Sequence, residues 1–387
     1  MRKAFTVFIM LGLVSLFADI TYEGARSISG AYIKVLEGTG LVAGAIVIGE
    51  FLGYIMRFVS GLAADRLRSS RVLWLFTISG YLINLVAVPS LAFAGRWEIA
   101  LALLFMERIG KGLRTPSRDV ILSEVVEGLG RGKGFGLHEV MDQLGAFAGP
   151  IIVTLAITGS GGNYSPAFLV LSIPAIASIA SLTIAATMYP RVQSISVERP
   201  VIGWGLGREF KLFSIALSLM TAGYLPWSIV SYHLKDAQIV GDPEIAMLYA
   251  LAMAVDAIIA FPAGFLYDKI GIKSLIITPV AAALIPPALL NGSKMYVYSA
   301  AILWGVVMGI YETSIRAAIP GLVHESKRAF AYGVYGLIYG TSWMLGGLII
   351  GALHELNPLY LTIYSALLEI PSITLIAYLS TTMKIMK

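Results

Sequence analysis

The sequence has no cysteine, only four histidines and few charged residues, which make up 13% of its 387 positions. Without cysteine there is no disulfide framework, no cysteine-ligated zinc site and no thiol chemistry. Soluble domains carry about 25% charged residues and about 45–50% apolar ones, whereas this chain is 57% hydrophobic with a mean hydropathy of +0.81. The composition therefore argues against a soluble enzyme and against a nucleic-acid-binding or disordered chain, despite the net charge of +5.

Long apolar runs are what the chain has in abundance. A helix needs about 20 mostly apolar residues to cross a bilayer. Twelve such runs follow one another, at roughly 4–33, 40–63, 71–94, 97–115, 134–158, 164–189, 208–232, 244–267, 272–291, 294–315, 329–353 and 358–381. No small-residue cleavage site follows the first run, so we expect it to remain as a membrane helix. The sequence predicts an all-α polytopic membrane protein with 12 transmembrane helices.

The lysines and arginines are distributed unevenly between the loops. With the N-terminus inside, 20 of the 28 fall at inner ends and loops, and only Lys34, Arg96, Lys235 and Lys294 fall outside. Basic residues favour the cytoplasmic side, where they meet anionic lipid headgroups. We therefore expect a multi-pass protein of the plasma or inner membrane, in contact with membrane lipids and with both termini in the cytoplasm.

One loop pattern occurs twice, about half a chain length apart. GLAADRLRSSR follows the second run and GFLYDKIGIK follows the eighth. Gly61, Asp65 and Arg66 of the first copy correspond to Gly264, Asp268 and Lys269 of the second, and the other predicted gating residues are Arg71, Gly271 and Lys273. Such a repeat is typical of transporters built by duplication. It predicts an N-terminal six-helix bundle over 1–190, a cytoplasmic linker over 191–207 and a C-terminal six-helix bundle over 208–387.

The repeated loop and the two sets of six helices resemble the major facilitator superfamily, and this resemblance covers the whole chain. It implies transport by alternating access, with the two loops acting as gates on the inner surface. We expect the small residues Gly61 and Gly264 to let helix ends approach closely. The first copy departs from the family pattern at Arg68, where the second copy has Gly271.

Charged residues inside the runs are concentrated in the first half. A charge at the centre of a bilayer costs about 2.5–3.5 kcal/mol or more, which makes each one a functional hypothesis. The candidates for substrate binding or proton coupling are Asp19, Glu23, Arg26, Glu50, Arg57, Glu107, Arg108, Lys111, His138, Glu139 and Asp142, with Asp256 and Glu312 in the second half. Helical spacing puts Asp19, Glu23 and Arg26 on one face, and Glu50 and Arg57 on another.

Two short elements resemble those of proton-coupled drug antiporters. Arg108 and Gly112 match an R-x-x-Q-G element in which Lys111 takes the place of the usual glutamine. Gly145, Gly149 and Pro150 match the G-x-x-x-G-P element of the fifth helix, for which simple small-residue packing is the structural alternative. Together the resemblances imply proton-coupled efflux.

We therefore predict a secondary transporter, not an enzyme, that exports a small amphipathic compound in exchange for protons. It is expected to need no cofactor, metal or nucleic acid and to act as a monomer. A buried carboxylate that alternates between a proton and an ion pair would couple the two movements. Three alternatives stay open: uptake or exchange of an organic anion, a permanent structural charge network, and a non-transporting membrane protein such as a lipid scramblase or receptor.

Overall fold

The computed structural model describes residues 2–67, 69–126, 131–192, 205–324 and 327–385. Within these ranges the chain is almost entirely helical and contains no β-strand. Most of the predicted linker (193–204) and Arg68 of the first loop lie outside the described residues.

Eight helices follow the six runs predicted for the first half. They are α1 (Arg2–Val35), α2 (Gly40–Ala45), α3 (Ile48–Leu67), α4 (Ser70–Ser90), α5 (Trp97–Val125), α6 (Arg131–Gly159), α7 (Tyr164–Val170) and α8 (Ser172–Met188). The second run is interrupted between α2 and α3, and the sixth between α7 and α8.

Eight further helices follow the six runs of the second half. They are α9 (Arg208–Gly223), α10 (Trp227–Asp236), α11 (Asp242–Ile270), α12 (Ile277–Leu290), α13 (Lys294–Ile310), α14 (Arg316–Ala318), α15 (Arg328–Leu356) and α16 (Leu359–Ile385). A π-helical turn over Tyr311–Ile315 joins α13 to α14. Such turns inside helices are frequent at functional sites.

All twelve predicted runs are helical, and the all-α prediction is confirmed. By length and composition, ten stretches of the described chain qualify as candidate membrane spans. The difference from twelve has two causes. One stretch, Asp242–Leu290, contains both α11 and α12, which are separated only by a short 3-10 turn. The helix α5 carries too many charged residues to qualify, although it is 29 residues long.

The chain forms two compact units. Unit 1 contains Met1–Gly38, Ile48–Glu198 and Gly241–Ala250, and unit 2 contains Thr39–Val47, Arg199–Val240 and Leu251–Lys387. In unit 1, α1 packs on α6 and α8, while α5 packs on α3 and α4. In unit 2, α16 packs on α9 and α12, and α15 packs on α9 and on the short helix α2.

Glycines bring α1 and α6 of unit 1 into backbone contact. A Cβ added at Gly145 or Gly149 would collide with the carbonyl oxygens of Leu16 and Ile20, and one at Gly24 would lie 3.2 Å from the Gly149 oxygen. The Gly145 and Gly149 pair thus serves close helix packing. Pro150 lies inside α6 next to this contact.

A second glycine contact joins α2 to α15 in unit 2. Gly40 and Gly44 face Gly351 and Gly347, so that a Cβ at Gly351 would lie 2.6 Å from the Gly40 oxygen. The Leu41 amide also donates to Glu355 Oε1 at 2.7 Å. Four-residue spacing puts each pair of glycines on one helix face. The backbones of α2 and α15 can therefore approach each other closely, although α2 is short.

Candidate functional site in unit 1

Five charged side chains of unit 1 form a continuous series of alternating sign, here called the charge chain. Arg26 contacts Glu23 (Nη1 to Oε1, 3.4 Å) and Glu50 (Nη2 to Oε1, 3.2 Å). The Arg108 Nε then contacts Glu50 Oε1 at 3.3 Å and Glu107 Oε2 at 2.9 Å. Three negative and two positive groups from α1, α3 and α5 therefore neutralise most of one another's charge.

The local sequence explains how α3 and α5 bring Glu50 and Arg108 together. A Cβ at Gly49 would lie 3.1 Å from Arg108 Cγ, and one at Gly53 would lie 3.0 Å from the Arg108 oxygen. Two glycines of α3 thus make room for the arginine next to Glu50. Glu107 and Arg108 are 3% and 8% exposed, so their ion pair is shielded from bulk solvent.

Both ends of the charge chain are closed by uncharged donors. Asn84 of α4 donates from Nδ2 to Glu107 Oε1 at 2.7 Å. At the other end, the Tyr249 hydroxyl of α11 donates to Glu23 Oε2 at 2.5 Å. Hydrogen bonds to ionised groups are shorter and stronger than neutral ones. The charge chain and its two terminal donors therefore connect five helices, in the order α4, α5, α3, α1 and α11.

A cluster of cations surrounds Tyr22 beside the charge chain. Lys111 Nζ lies 4.2 Å from the centre of the Tyr22 ring, and the guanidinium carbons of Arg108 and Arg114 lie 6.0 and 5.9 Å from it. Arg114 is only 2% exposed and also lies 4.0 Å from the centre of the Tyr81 ring. Ring faces attract cations, and more strongly where water is excluded.

Asp19 lies one turn from Glu23 on α1 but is not part of the charge chain. It is 4% exposed, and among the described residues its Oδ1 has no hydrogen-bond partner. The charges of Asp142, Lys111 and Arg114 act on it. His138 Nε2 lies 3.8 Å from Asp142 Oδ1 and 3.3 Å from Arg118 Nη1. Of the predicted residues at the start of α6, Asp142 thus acts on Asp19, and His138 lies next to Asp142.

Some predicted site residues lie elsewhere. Arg57 lies two helical turns, about 10 Å, along α3 from Glu50. It is exposed, lies over the Tyr54 ring and acts on Glu50 through its charge. Glu139 is exposed on α6. Asp256 is buried against Gly309 in unit 2, and Glu312 is half-buried in the π-helical turn.

The two predicted gating loops differ from expectation at one glycine. A Cβ at Gly61 would touch Pro116 at 3.7 Å, whereas no atom of the described chain comes within 4 Å of one at Gly264. The predicted close approach is therefore wrong for Gly264. Gly271 has a φ of +63°, as a turn glycine requires. Asp65 is half-buried, whereas the other charged loop residues are exposed: Arg66, Arg71, Asp268, Lys269 and Lys273.

Sequence reasoning missed four members of the site. Tyr22, Asn84 and Tyr249 are uncharged, so a search for buried charges passes over them. Arg114 was assigned to an inner loop because the apolar run ends there, yet α5 continues to Val125 and buries it. Among the described residues no group of three or more histidines and acids has a metal-binding arrangement.

Comparisons with known proteins agree with this architecture. Residues 212–381 match the family model of the Major Facilitator Superfamily. The chain is 36% identical over 356 residues to the uncharacterized protein Rv2265 of Mycobacterium tuberculosis, covering 90% of this chain and 86% of that protein. It is 24% identical over 381 residues to the uncharacterized MFS-type transporter MJ1317 of Methanocaldococcus jannaschii, covering 96% and 94%.

The fold is also similar to that of solved transporters. A crystal structure of a mutant of the nucleoside transporter NupG superimposes with a TM-score of 0.77, covering 95% of this chain and 99% of that one. The two sequences are only 16% identical. This likeness concerns the fold and carries no information on the substrate.

Proposed function

Because this chain belongs to the major facilitator superfamily, we propose that it is a proton-coupled exporter of a small amphipathic compound. It is a membrane transporter of the major facilitator type, spans the membrane several times and is not an enzyme. The proposal adds the coupling ion, the class of substrate and the direction. The observation that carries it is the charge chain, with Asp19 buried beside it.

The charge chain offers a physical route from proton binding to movement. Each arginine in it holds two carboxylates from different places: Arg26 joins α1 to α3, and Arg108 joins α3 to α5. A proton on Glu50 removes the charge that both arginines share. Each arginine then loses one partner, and the contacts between the helices weaken. Loss of the proton restores them.

Asp19 is the acid that we assign as the first proton acceptor. Burial without a partner favours a neutral carboxyl group, whereas a nearby cation favours the carboxylate. Asp19 experiences both influences, because its Oδ1 has no hydrogen-bond partner in the described chain while Lys111 and Arg114 lie close enough to act on it. Asp142 of α6 and its neighbour His138 would supply the path by which the proton reaches Asp19.

The remaining parts of the proposal rest on the sequence. The distribution of lysines and arginines favours cytoplasmic termini in a plasma membrane. The elements at Arg108, Lys111, Gly145, Gly149 and Pro150 favour efflux by their resemblance to drug antiporters. The two repeated loops would gate the inner side between two six-helix bundles of a monomer. In unit 2, the half-buried rings of Tyr335 and Tyr339 offer apolar surface of the kind an amphipathic substrate needs.

A proteoliposome assay tests the coupling. In vesicles with an imposed pH gradient, the unaltered protein should move an amphipathic dye, and Glu50→Gln should retain binding of the dye but lose its response to the gradient. The matched control is Glu98→Gln, since Glu98 pairs only with the exposed Arg96 among described residues. A normal gradient response in Glu50→Gln would reject the charge chain as the coupling site.

Exchange of an organic anion is the second candidate, and the cations around Tyr22 favour it. Arg108, Lys111 and Arg114 approach one ring from α5, and arginines bind carboxylate and phosphate groups through paired hydrogen bonds. Counterflow of a labelled organic anion without a pH gradient, lost in Arg114→Gln, would favour this reading over the exporter.

A further inference from the structure

The helix α11 is divided between the two units. Its first nine residues, Asp242–Ala250, belong to unit 1, and the helix continues into unit 2 from Leu251. These first turns are continuous with the rest of the helix, so their release would allow the helix to move. What holds its first turns in unit 1 therefore bears on the movement of the whole helix.

Three polar contacts attach the start of α11 to unit 1. The Asp242 carboxylate interacts electrostatically with the Tyr164 hydroxyl at the start of α7. The Pro243 oxygen accepts a hydrogen bond from Thr154 Oγ1 of α6 at 3.2 Å. The third contact is the 2.5 Å hydrogen bond from the Tyr249 hydroxyl to Glu23. Only this one involves a member of the charge chain.

The bond between Tyr249 and Glu23 depends on the charge of the carboxylate. Tyr249 is fully buried, and Glu23 is 7% exposed. Glu23 uses one oxygen for Tyr249 and the other for Arg26, so it links α11 directly to the charge chain. A hydrogen bond to a carboxylate is roughly twice as strong as one to a neutral acceptor. A proton on Glu23 would weaken both contacts together.

We propose that the Tyr249–Glu23 hydrogen bond is a proton-sensitive latch that holds the start of α11 in unit 1 until a proton reaches the charge chain. This deepens the proposed function and rests on it for the source of the proton. Tyr249 is a positioning residue: it neither binds nor carries the proton, but converts the charge of Glu23 into the position of a helix. The titratable or charged groups that act on Glu23 or respond to its charge are Asp19 and Arg26 of α1, Glu107, Arg108 and Lys111 of α5, and Tyr249 itself.

The absence of cysteine from the chain makes the latch directly measurable. Ala246 lies one turn before Tyr249 and is fully buried, so Ala246→Cys places a single thiol under the latched segment. The rate of its reaction with a water-soluble maleimide reports release of that segment in the purified, detergent-solubilised full chain. We expect slow labelling at high pH and faster labelling at low pH, after correction for the thiolate fraction with a free thiol.

In the same background, Tyr249→Phe should raise the labelling rate about tenfold and remove its pH dependence, and Glu23→Gln should do the same. Tyr189→Phe is the matched control, because it removes a hydrogen bond between Tyr189 and Glu124 of unit 1, neither of which belongs to α11, and it should leave the rate unchanged. Thermal unfolding and gel filtration establish that each variant is folded. An Arg26→Lys variant, which keeps the positive charge, should retain the pH response.

The outcomes separate the latch from the proposed function. A Tyr249→Phe rate within twofold of its parent, or one that keeps the parent's pH dependence, overturns the latch even if pH-driven dye transport is observed. A pH-sensitive rate abolished by Tyr249→Phe supports the latch even if no transported dye is found. If the Tyr249→Phe protein does not fold, the labelling rate of the Glu23→Gln variant is measured instead. The same two outcomes then support or overturn the latch.

Discussion

The acids of the charge chain in unit 1 and the buried Glu369 in unit 2 lie in opposite surroundings. In unit 1, Glu50 and Glu107 each contact an arginine, and Asn84 provides a further hydrogen bond. In unit 2, Glu369 of α16 is fully buried, and among the described residues neither of its carboxyl oxygens has a hydrogen-bond partner. It lies against Gly223, where a Cβ would be 2.8 Å from Oε1.

The surroundings of the acids differ as much as their partners. Unit 2 has a cluster of packed aromatic rings, with centres 5.3 Å apart for Trp227 and Trp304 and 5.4 Å apart for Tyr224 and Trp343. Aromatic contacts of this kind do not depend on protonation, whereas ion pairs do. The ion pairs of unit 1 would therefore change when a proton binds, whereas the aromatic packing of unit 2 would not.

The largest effect should come from removing the shared cation of unit 1. Arg108→Ala leaves Glu50 and Glu107 close together without the arginine between them, and breaking a buried ion pair costs about 3–5 kcal/mol. We expect a fall of that size in the free energy of unfolding, measured by denaturant titration in detergent. Arg96→Ala is the control, since Arg96 is exposed and pairs with the exposed Glu98. Equal losses in the two variants would remove the distinction between the charge chain and an ordinary surface charge.

A smaller effect should follow at the end of the charge chain. Asn84→Leu removes the 2.7 Å hydrogen bond to Glu107, and hydrogen bonds to charged groups contribute about 1.5–3 kcal/mol. We expect a loss of unfolding free energy in that range and an altered pH profile of transport, because Glu107 then holds its charge less well. An unchanged pH profile would show that Glu107 takes no part in coupling and that the functional part of the charge chain ends at Arg108.

The parts of this site that follow from sequence are those set within one helix. Glu23 and Arg26 are three residues apart, so helical geometry alone predicts that they can meet. The concentration of charge in the first half also follows from counting. The same reasoning places Arg57 on the face of Glu50, and its charge acts on that carboxylate from two turns away.

Contacts between helices could not be predicted, because they depend on how far each helix slides and turns against its neighbour. Nothing in the sequence relates Glu50 to Arg108, or Glu23 to Tyr249, which stand 58 and 226 positions apart. Tyr249 also lies in a mostly apolar run, where a tyrosine is ordinary. The twelve helical runs could be predicted because their length and hydropathy determine them. The interruption between α2 and α3 could not, because the sequence has no proline there.

Unit 2 should tolerate a change in its aromatic cluster without losing the pH response. Trp304 donates from Nε1 to the Leu225 oxygen at 3.0 Å. Trp304→Phe leaves that buried carbonyl without its donor, at a cost of about 1–3 kcal/mol. We expect the unfolding free energy to fall while the pH profile of transport keeps its shape. A shifted profile would mean that unit 2 takes part in coupling and would weaken the contrast between the units.

The smallest effect should have the opposite sign, and it comes from the acid of unit 2. Replacing a buried polar group that lacks a partner by an apolar one of similar size is neutral or stabilising. Glu369→Leu should therefore leave the unfolding free energy unchanged or raise it by about 1 kcal/mol, whereas Glu107→Leu in unit 1 should lower it, because Arg108 and Asn84 lose their acceptor. Thermal unfolding of both variants in detergent makes the comparison. If Glu369→Leu instead lowers stability as much as Glu107→Leu does, Glu369 has a partner of comparable strength, and the two units bury their acids by the same principle.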